Sequence, residues 1–483
     1  MSSDKKTLVL GVFWTALGKY SGLILGMVVT MVLARVLGPS EFGTVTLANV
    51  FISFLTILSS LGIAPAIIQR RDLTSQDLDS IFSFTCFVGF CFAALFFLSS
   101  WSIASFYDNN QLIPVCQVLS VSLFFSTINM VPNALMSKHL RFKESAVRTF
   151  LIHVIVTPIA IVAALKGAGI YSLLISPIVS SVGIFIYNHH FYPVKIAWKI
   201  RTDSLRKILS YSIYQFFFQI TNFLTSNIDK LLLGKALGSR DLGYYQMSNQ
   251  LIQIPAGNIT GVVYPVLHPI FTKYQDDKQT LMSKYETMIK LIASCVFPLS
   301  VVLFCCANEL IYLIYGPNWG AAIPAFKIMS IALPALIILP VTGTFFQSSG
   351  EIRTLFKIGL INSFVAISSI SIACFVYNSL QAVAWAIVIF NYSSLIVTYY
   401  YMYVKILNRS LFRFFTICLG PLCFTVCLGG VLLIINTLLG DNLFVDLLVK
   451  GLVSLSLLAI YLQLTKQFDV LSMMRRVIGR IKR

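Results

Sequence analysis

An all-α membrane bundle of about fourteen transmembrane helices is the fold class that this sequence of 483 residues predicts. Three observations predict it. Hydrophobic residues make up 57% of the chain and charged residues 11%, whereas a soluble globular chain carries about 25% charged residues. Apolar runs recur from end to end, each of the roughly twenty residues needed to cross about 30 Å of hydrocarbon. Basic residues, finally, gather in alternate loops. A transmembrane barrel needs segments of about ten residues that alternate apolar and polar, and stretches such as Ile292–Cys306 do not alternate. Helices also satisfy their own backbone amides where there is no water to do so.

Spans are expected near 8–37, 42–69, 79–105, 111–136, 144–166, 168–192, 207–236, 242–270, 283–307, 322–349, 353–378, 380–404, 413–438 and 443–465. The breaks between them carry turn chemistry: Gly38-Pro39, Asp108-Asn109-Asn110, Gly167, Gly238-Ser239, Gly316-Pro317-Asn318 and Gly440-Asp441-Asn442. One set of loops holds Lys5 and Lys6, Arg70 and Arg71, Lys138 to Lys143, Lys195 to Lys207, Lys273 to Lys284, Arg353 and Lys357, Lys405 to Arg413, and the tail after Lys466. The alternate loops hold little beyond Arg35, Lys166, Lys235 and Arg240. With fourteen spans every basic loop falls on one side, which the positive-inside rule makes cytoplasmic, so both termini are expected inside. The net charge of +18 therefore points to membrane topology, not to nucleic acid. The tail places Val470, Leu471, Met474, Val477 and Ile481 on one helical face, as an amphipathic anchor on the inner leaflet would. No cleavable signal is expected, since the first apolar run is too long for one.

The ten cysteines sit inside apolar runs without C-x-x-C spacing, which reads as packing and not as a disulfide or zinc framework. No metal site is expected. The five histidines do not cluster either, and His153 reads as a buried, hydrogen-bonded side chain. Loops are too short for a soluble catalytic domain, so function is expected within the bundle.

An internal repeat appears at a spacing of 200 residues. Arg35-Val-Leu-Gly-Pro-Ser-Glu-Phe-Gly43 aligns with Lys235-Ala-Leu-Gly-Ser-Arg-Asp-Leu-Gly243, and Asn49 with Asn249. Six spans separate the copies, so the repeats run parallel, with any substrate site between two lobes. The domains expected are a six-helix lobe over 1–200, a second over 201–409, two further helices over 410–465 and the basic tail 466–483.

Four spans of the repeat carry polar stripes. They are Thr15, Lys19, Gly22, Gly26 and Thr30; Thr46, Asn49, Ser53, Thr56 and Ser60; Gln215, Gln219, Asn222, Ser226 and Asp229-Lys230; and Gln246, Asn249-Gln250, Gln253, Gly257 and Thr260. Polar side chains facing lipid are costly, so such faces should look into the bundle or a wet cavity. Helix packing through small residues and hydroxyl bonding to the helix's own backbone are the competing accounts. The substrate-site candidates are Lys19, Arg35, Asn49, Asn222, Asp229, Lys230, Asn249, Gln250, Gln253 and Lys327. Lys19 lies roughly 16 Å into its span and needs a partner, water or ligand. Asp229 and Lys230 can neutralise each other or Lys19. Lys450 reads as a lone polar residue of little weight.

The segment Leu33-Ala-Arg-Val-Leu-Gly-Pro-Ser-Glu-Phe-Gly43 resembles the end of the first helix of Wzx-type polysaccharide flippases, a branch of the MOP superfamily. Asn227-Ile-Asp-Lys-Leu-Leu-Leu-Gly-Lys-Ala-Leu-Gly238, continuing to Tyr245, is similar to that family's second-lobe signature. The resemblance implies a bacterial inner-membrane transporter, not an enzyme. It would carry undecaprenyl-pyrophosphate-linked oligosaccharide by alternating access to the periplasmic leaflet, for a lipopolysaccharide (O-antigen) or exopolysaccharide. It implies cationic cavity residues that meet the pyrophosphate, a part open to Lys19, Arg35, Lys230 and Lys327. It implies no cofactor, with coupling to Na+ or H+ left open. The partners implied are membrane lipid and other assembly proteins such as a polymerase. The rival readings are an exporter of the MATE branch, disfavoured by the scarcity of carboxylates within spans other than Asp229, and a membrane polymerase or acyltransferase, for which no loop or histidine–acid constellation is present.

Overall fold

A computed structural model describes residues 3–60, 63–70, 72–197, 202–275, 277–407, 409–438, 440 and 442–465. The expected amphipathic tail lies outside the described residues. So do the side chains of Gln215 and His268. Every regular element among the described residues is helical. In chain order they are α1 (Ser3–Val36), α2 (Pro39–Ser60), α3 (Ile63–Gln69), α4 (Ser75–Phe106), α5 (Leu112–Ile128), α6 (Met130–Lys138), α7 (Phe142–Leu165), α8 (Tyr171–Phe191), α9 (Thr202–Ala236) and α10 (Gly238–Thr272). There follow α11 (Lys278–Cys305), α12 (Ala307–Ile314), α13 (Ile323–Ile331), α14 (Leu333–Ser348), α15 (Ile352–Ile372), α16 (Leu380–Tyr400), α17 (Phe412–Leu438) and α18 (Leu443–Leu464). The chain forms two compact units, Met1–Gly243 and Tyr244–Arg483.

Eleven of the described helices or helix pairs are long and apolar enough to cross a membrane. They number twelve if the pair bent by 41° around Ala332 is one span. That falls short of the fourteen expected, and the shortfall has a physical reason. The spans expected at 207–236 and 242–270 are present as α9 and α10, each of 35 residues. These are the helices that carry Asn222, Asp229 and Lys230, and Asn249, Gln250 and Gln253, so their polarity removes them from an apolarity test.

Within the first unit, α1 lies on α7 through small residues. A Cβ on Gly18 would stand 3.0 Å from the backbone of Ala146, and one on Gly22 would stand 3.1 Å from the His153 ring. The close-packing account therefore holds for these two glycines. Thr15 and Thr30 donate to the carbonyls of Gly11 and Gly26, one turn back. His153 is half-buried with no side-chain hydrogen bond among the described residues, which corrects the hydrogen-bonded histidine expected there.

The α5–α6 break at Asn129 is held from a neighbouring helix, since Asn188 Nδ2 donates to Asn129 Oδ1 at 2.7 Å. Asn188 in turn accepts from Arg148 Nη1 at 2.6 Å, and Arg148 also reaches Asn133 Oδ1 and Ser145 Oγ. This buried arginine binds α6, α7 and α8 together at one end. Neutral oxygens and the Met136 sulfur serve it among the described residues. At the α4 entrance, Thr74 and Asp77 form a capping box.

The second unit has a polar point at its centre. The Tyr285 hydroxyl lies 2.7 Å from Thr342 Oγ1 and 2.6 Å from the Tyr399 hydroxyl, all fully buried, which joins α11, α14 and α16. Ser248 donates to the Ala322 carbonyl and fixes α10 beside the start of α13. Asp277 caps α11, and its bonds from the Thr280 hydroxyl and the Thr280 and Gln279 amides hold its carboxyl below the usual range. Pro334, at the start of α14, has no amide proton to continue the helix from α13, which fits the bend at Ala332.

Two matched substitutions test the α1–α7 packing. Gly18→Leu should destabilise the protein by about 1–3 kcal/mol through overpacking, read as a lower unfolding temperature in detergent. Gly26→Leu, where nothing lies within 4 Å of a Cβ, should not. Equal effects at the two positions would remove the packing assignment.

Candidate functional site

The repeat's two glycine turns meet each other. Gly38 and Gly238 follow α1 and α9, and Gly238 has φ +84°, the left-handed conformation glycine tolerates best. The chain then enters α2 and α10, where Gly43 backs onto the Ser239 carbonyl and Gly243 onto the Pro39 carbonyl. Pro39 and Ser239 are repeat partners, as are Gly43 and Gly243, so the contact is reciprocal. A Cβ at either glycine would overlap the facing carbonyl. Asn109 stitches the same region, donating to Thr44 Oγ1 at 2.9 Å and to Ser239 Oγ at 2.8 Å. Lys235 binds Asp108 at 2.8 Å and covers the Phe106 ring, which ties the last turn of α9 to the end of α4.

Below this contact α2 packs on α9 by apolar faces. Leu47 fills the space over Gly234, and the Phe54 and Phe223 rings lie 5.5 Å apart. A small cavity between the two helices is lined by Val50, Phe51, Phe54, Phe223, Leu224 and Leu231. The polar residues of both helices are on other faces: Asn49, Ser53, Asn222 and Ser226 are exposed. Thr44, Thr46 and Ser59 of α2 are the exceptions, buried, with Thr46 bonded to the Phe42 carbonyl. Ser53, Thr56 and Ser60 likewise donate to their own helix, so the amides are the side chains left to meet something outside.

Among the first-unit candidates, Lys19 is exposed and its Nζ lies 5.9 Å from the Tyr20 ring centroid. No salt bridge joins it to Asp229 among the described residues. Lys230 turns to Asn227 Oδ1 at 3.0 Å. Arg35 is exposed in the last turn of α1, and Asp229 is half-buried on α9. In the second unit Asn249 and Gln250 are half-buried and Gln253 is exposed, one turn along α10. Gln253 Nε2 lies 3.5 Å from Asn249 Oδ1, a long contact. Lys327 is half-buried on α13.

Three charged groups, Arg148, Lys450 and Glu309, carry a weight that sequence reasoning did not give them. Arg148 is 8% exposed, and Lys450 is fully buried in an ion pair with Glu309 and a 2.8 Å bond to Asn436. Lys450 is therefore not a lone polar residue, and Glu309 is a buried carboxylate that the sequence reading passed over. The partners stand 141 residues apart, and no local spacing links them.

Exposure of the amides has a direct readout. In a cysteine-free background, Cys replacing Asn49, Asn222 or Gln253 should react with a membrane-impermeant thiol reagent, and Cys replacing Ser248 should not. Protection of all three amide positions would place them in packing.

Comparison with known proteins follows this geometry. The chain is 24% identical to the teichuronic acid biosynthesis protein TuaB of Bacillus subtilis, over 89% of each chain. It is 26% identical to the lipopolysaccharide biosynthesis protein WzxC of Escherichia coli, over 77% of this chain and 76% of that one. Its fold matches the lipid II flippase MurJ in an inward closed conformation, with TM-score 0.72 at 14% identity over 94% of this chain and 98% of that one. The family model described as polysaccharide biosynthesis protein matches residues 32–324, more than half of the sequence. This multi-pass membrane chain belongs to the polysaccharide biosynthesis protein family.

Proposed function

We propose that the protein is a flippase. It moves undecaprenyl-pyrophosphate-linked oligosaccharide from the cytoplasmic to the outer leaflet of a bacterial inner membrane, for assembly of a surface polysaccharide. The observation that carries this reading is the set of exposed amides on helices that otherwise pack by apolar faces. Asn49, Asn222 and Gln253 offer donors and acceptors within a membrane protein, and sugar hydroxyls match them without demanding one glycan sequence. Membership of the polysaccharide biosynthesis family and the fold shared with a lipid flippase support it.

In this reading α9 and α10 complete fourteen spans, both termini are cytoplasmic, and the lobes 1–200 and 201–409 alternate access, with 410–465 as added helices. The reciprocal Gly43–Gly243 contact supports such a pairing of repeats. Lys19, Arg35, Lys230 and Lys327 meet the pyrophosphate, since charge-assisted hydrogen bonds are strong away from bulk water. Asn49, Asn222, Asp229, Asn249, Gln250 and Gln253 line the sugar path. Coupling is to an ion gradient, with no resident cofactor, and a polymerase receives the product. A cation exporter on the same fold is the second reading, and the match to the polysaccharide biosynthesis family gives it no support.

A deletion strain decides between these readings. Lipid-linked oligosaccharide should accumulate on the cytoplasmic face with loss of surface polymer; normal intermediates on the outer face would remove the flippase reading. Lys19→Ala should slow export about 10- to 100-fold, the value of one hydrogen bond to a charged group. Full export at normal protein levels would end the role of Lys19.

A further inference from the structure

The most deeply buried charges of the second unit are Lys450, fully buried, and Glu309, 4% exposed. Lys450 reaches from α18 to Glu309 on α12 and to Asn436 on α17. It lies seven residues into α18, roughly 10 Å along it, within a helix long and apolar enough to cross a membrane. Ionisable residues there mark ion and proton pathways by default. As a clamp the pair has little to recommend it. Desolvation offsets most of the attraction, and two apolar side chains of similar volume hold helices together as well.

Two features make the pair a proton site in particular. Glu309 Oε2 is buried and has no hydrogen-bond partner among the described residues, so one carboxylate oxygen is open to a proton. The Lys450 ammonium already occupies the cation position, which leaves no charge for a metal ion. The surrounding groups are few. Asp446 is buried one turn before Lys450 on α18, between the pair and the helix entrance capped by Asn442. Cys305 and Cys306 end α11, and Lys327 on α13 is close enough to act electrostatically on Cys305. From α17 comes the neutral Asn436.

We propose that Glu309 and Lys450 form the proton-coupling site of the transporter, reached through Asp446; the inference rests on the transport reading above. Proton uptake converts the Glu309 carboxylate to the acid, and release restores the carboxylate. While Glu309 is protonated the pair carries one net positive charge. Lys450 then draws toward Asn436 and Asp446, and α12 loses its grip on α17 and α18. Release of the proton closes the clamp again.

The test uses the full chain in proteoliposomes, as wild type, Glu309→Gln, and the apolar pair Glu309→Leu with Lys450→Met. The probe is a fluorescent polyisoprenyl pyrophosphate disaccharide, followed by an impermeant quencher with and without an imposed pH gradient. A gradient of about one pH unit is a tenfold difference in proton activity. Wild-type translocation should follow it, and the apolar pair should translocate at one rate regardless. Gradient dependence retained by the apolar pair overturns the proposal. Infrared difference spectra give a readout independent of transport. Acidification should add a carboxylic-acid carbonyl band in the wild type that Glu309→Gln lacks, and absence of that difference also overturns the proposal, even where the apolar pair fails to fold. If the wild type moves no probe but shows the band, the flippase reading fails and the proton site stands.

Discussion

A backbone amide in hydrocarbon has no partner but another backbone amide, and the rest of this structure follows from that constraint. It makes each membrane segment a helix before any side chain is considered. It also sets the terms for every departure from regular helix. The breaks at Asn129 and Ala332 occur within the bundle, and the first is held by a side chain from α8. Hydroxyl groups obey the same rule: Thr15, Thr30, Thr46, Ser53 and Thr56 all turn back to a carbonyl on their own helix.

Side chains that cannot turn back then divide into two kinds. Arg148, the Lys450–Glu309 pair and the Tyr285–Thr342–Tyr399 cluster are buried and served by protein. Asn49, Asn222 and Gln253 are exposed and meet whatever lies beyond the packed helices. This division separates polar groups that hold the bundle from polar groups left exposed. It is also why α9 and α10 fall outside a test of apolarity although their length suffices to span.

Glycine governs how closely the elements approach. Gly18 and Gly22 let α1 settle on α7, while Gly43 and Gly243 let two turns of the repeat touch backbone to backbone. The second contact joins positions 200 residues apart in a reciprocal way. Neither contact leaves room for a Cβ without displacement, so the glycines are fixed by geometry and not by helix preference, which disfavours glycine inside helices.

Much was legible without coordinates. Runs of apolar residues determined the helices, the turn residues their ends, and the 200-residue repeat the alignment of Gly43 with Gly243, because these are local or periodic signals, whereas the contact between the two turns is a finding of the structure. The candidate amides were also legible, as a stripe at helical spacing. Helical spacing shows which residues share a face, but not what that face meets. So Gly22 and Gly26 stand on one stripe, yet only the tertiary structure puts Gly22 against His153 and leaves Gly26 in open space. Lys450 and Glu309 each look isolated in their own segments. Only packing of α12 against α18 makes them a pair, since a charge in hydrocarbon finds its partner through space and not along the chain.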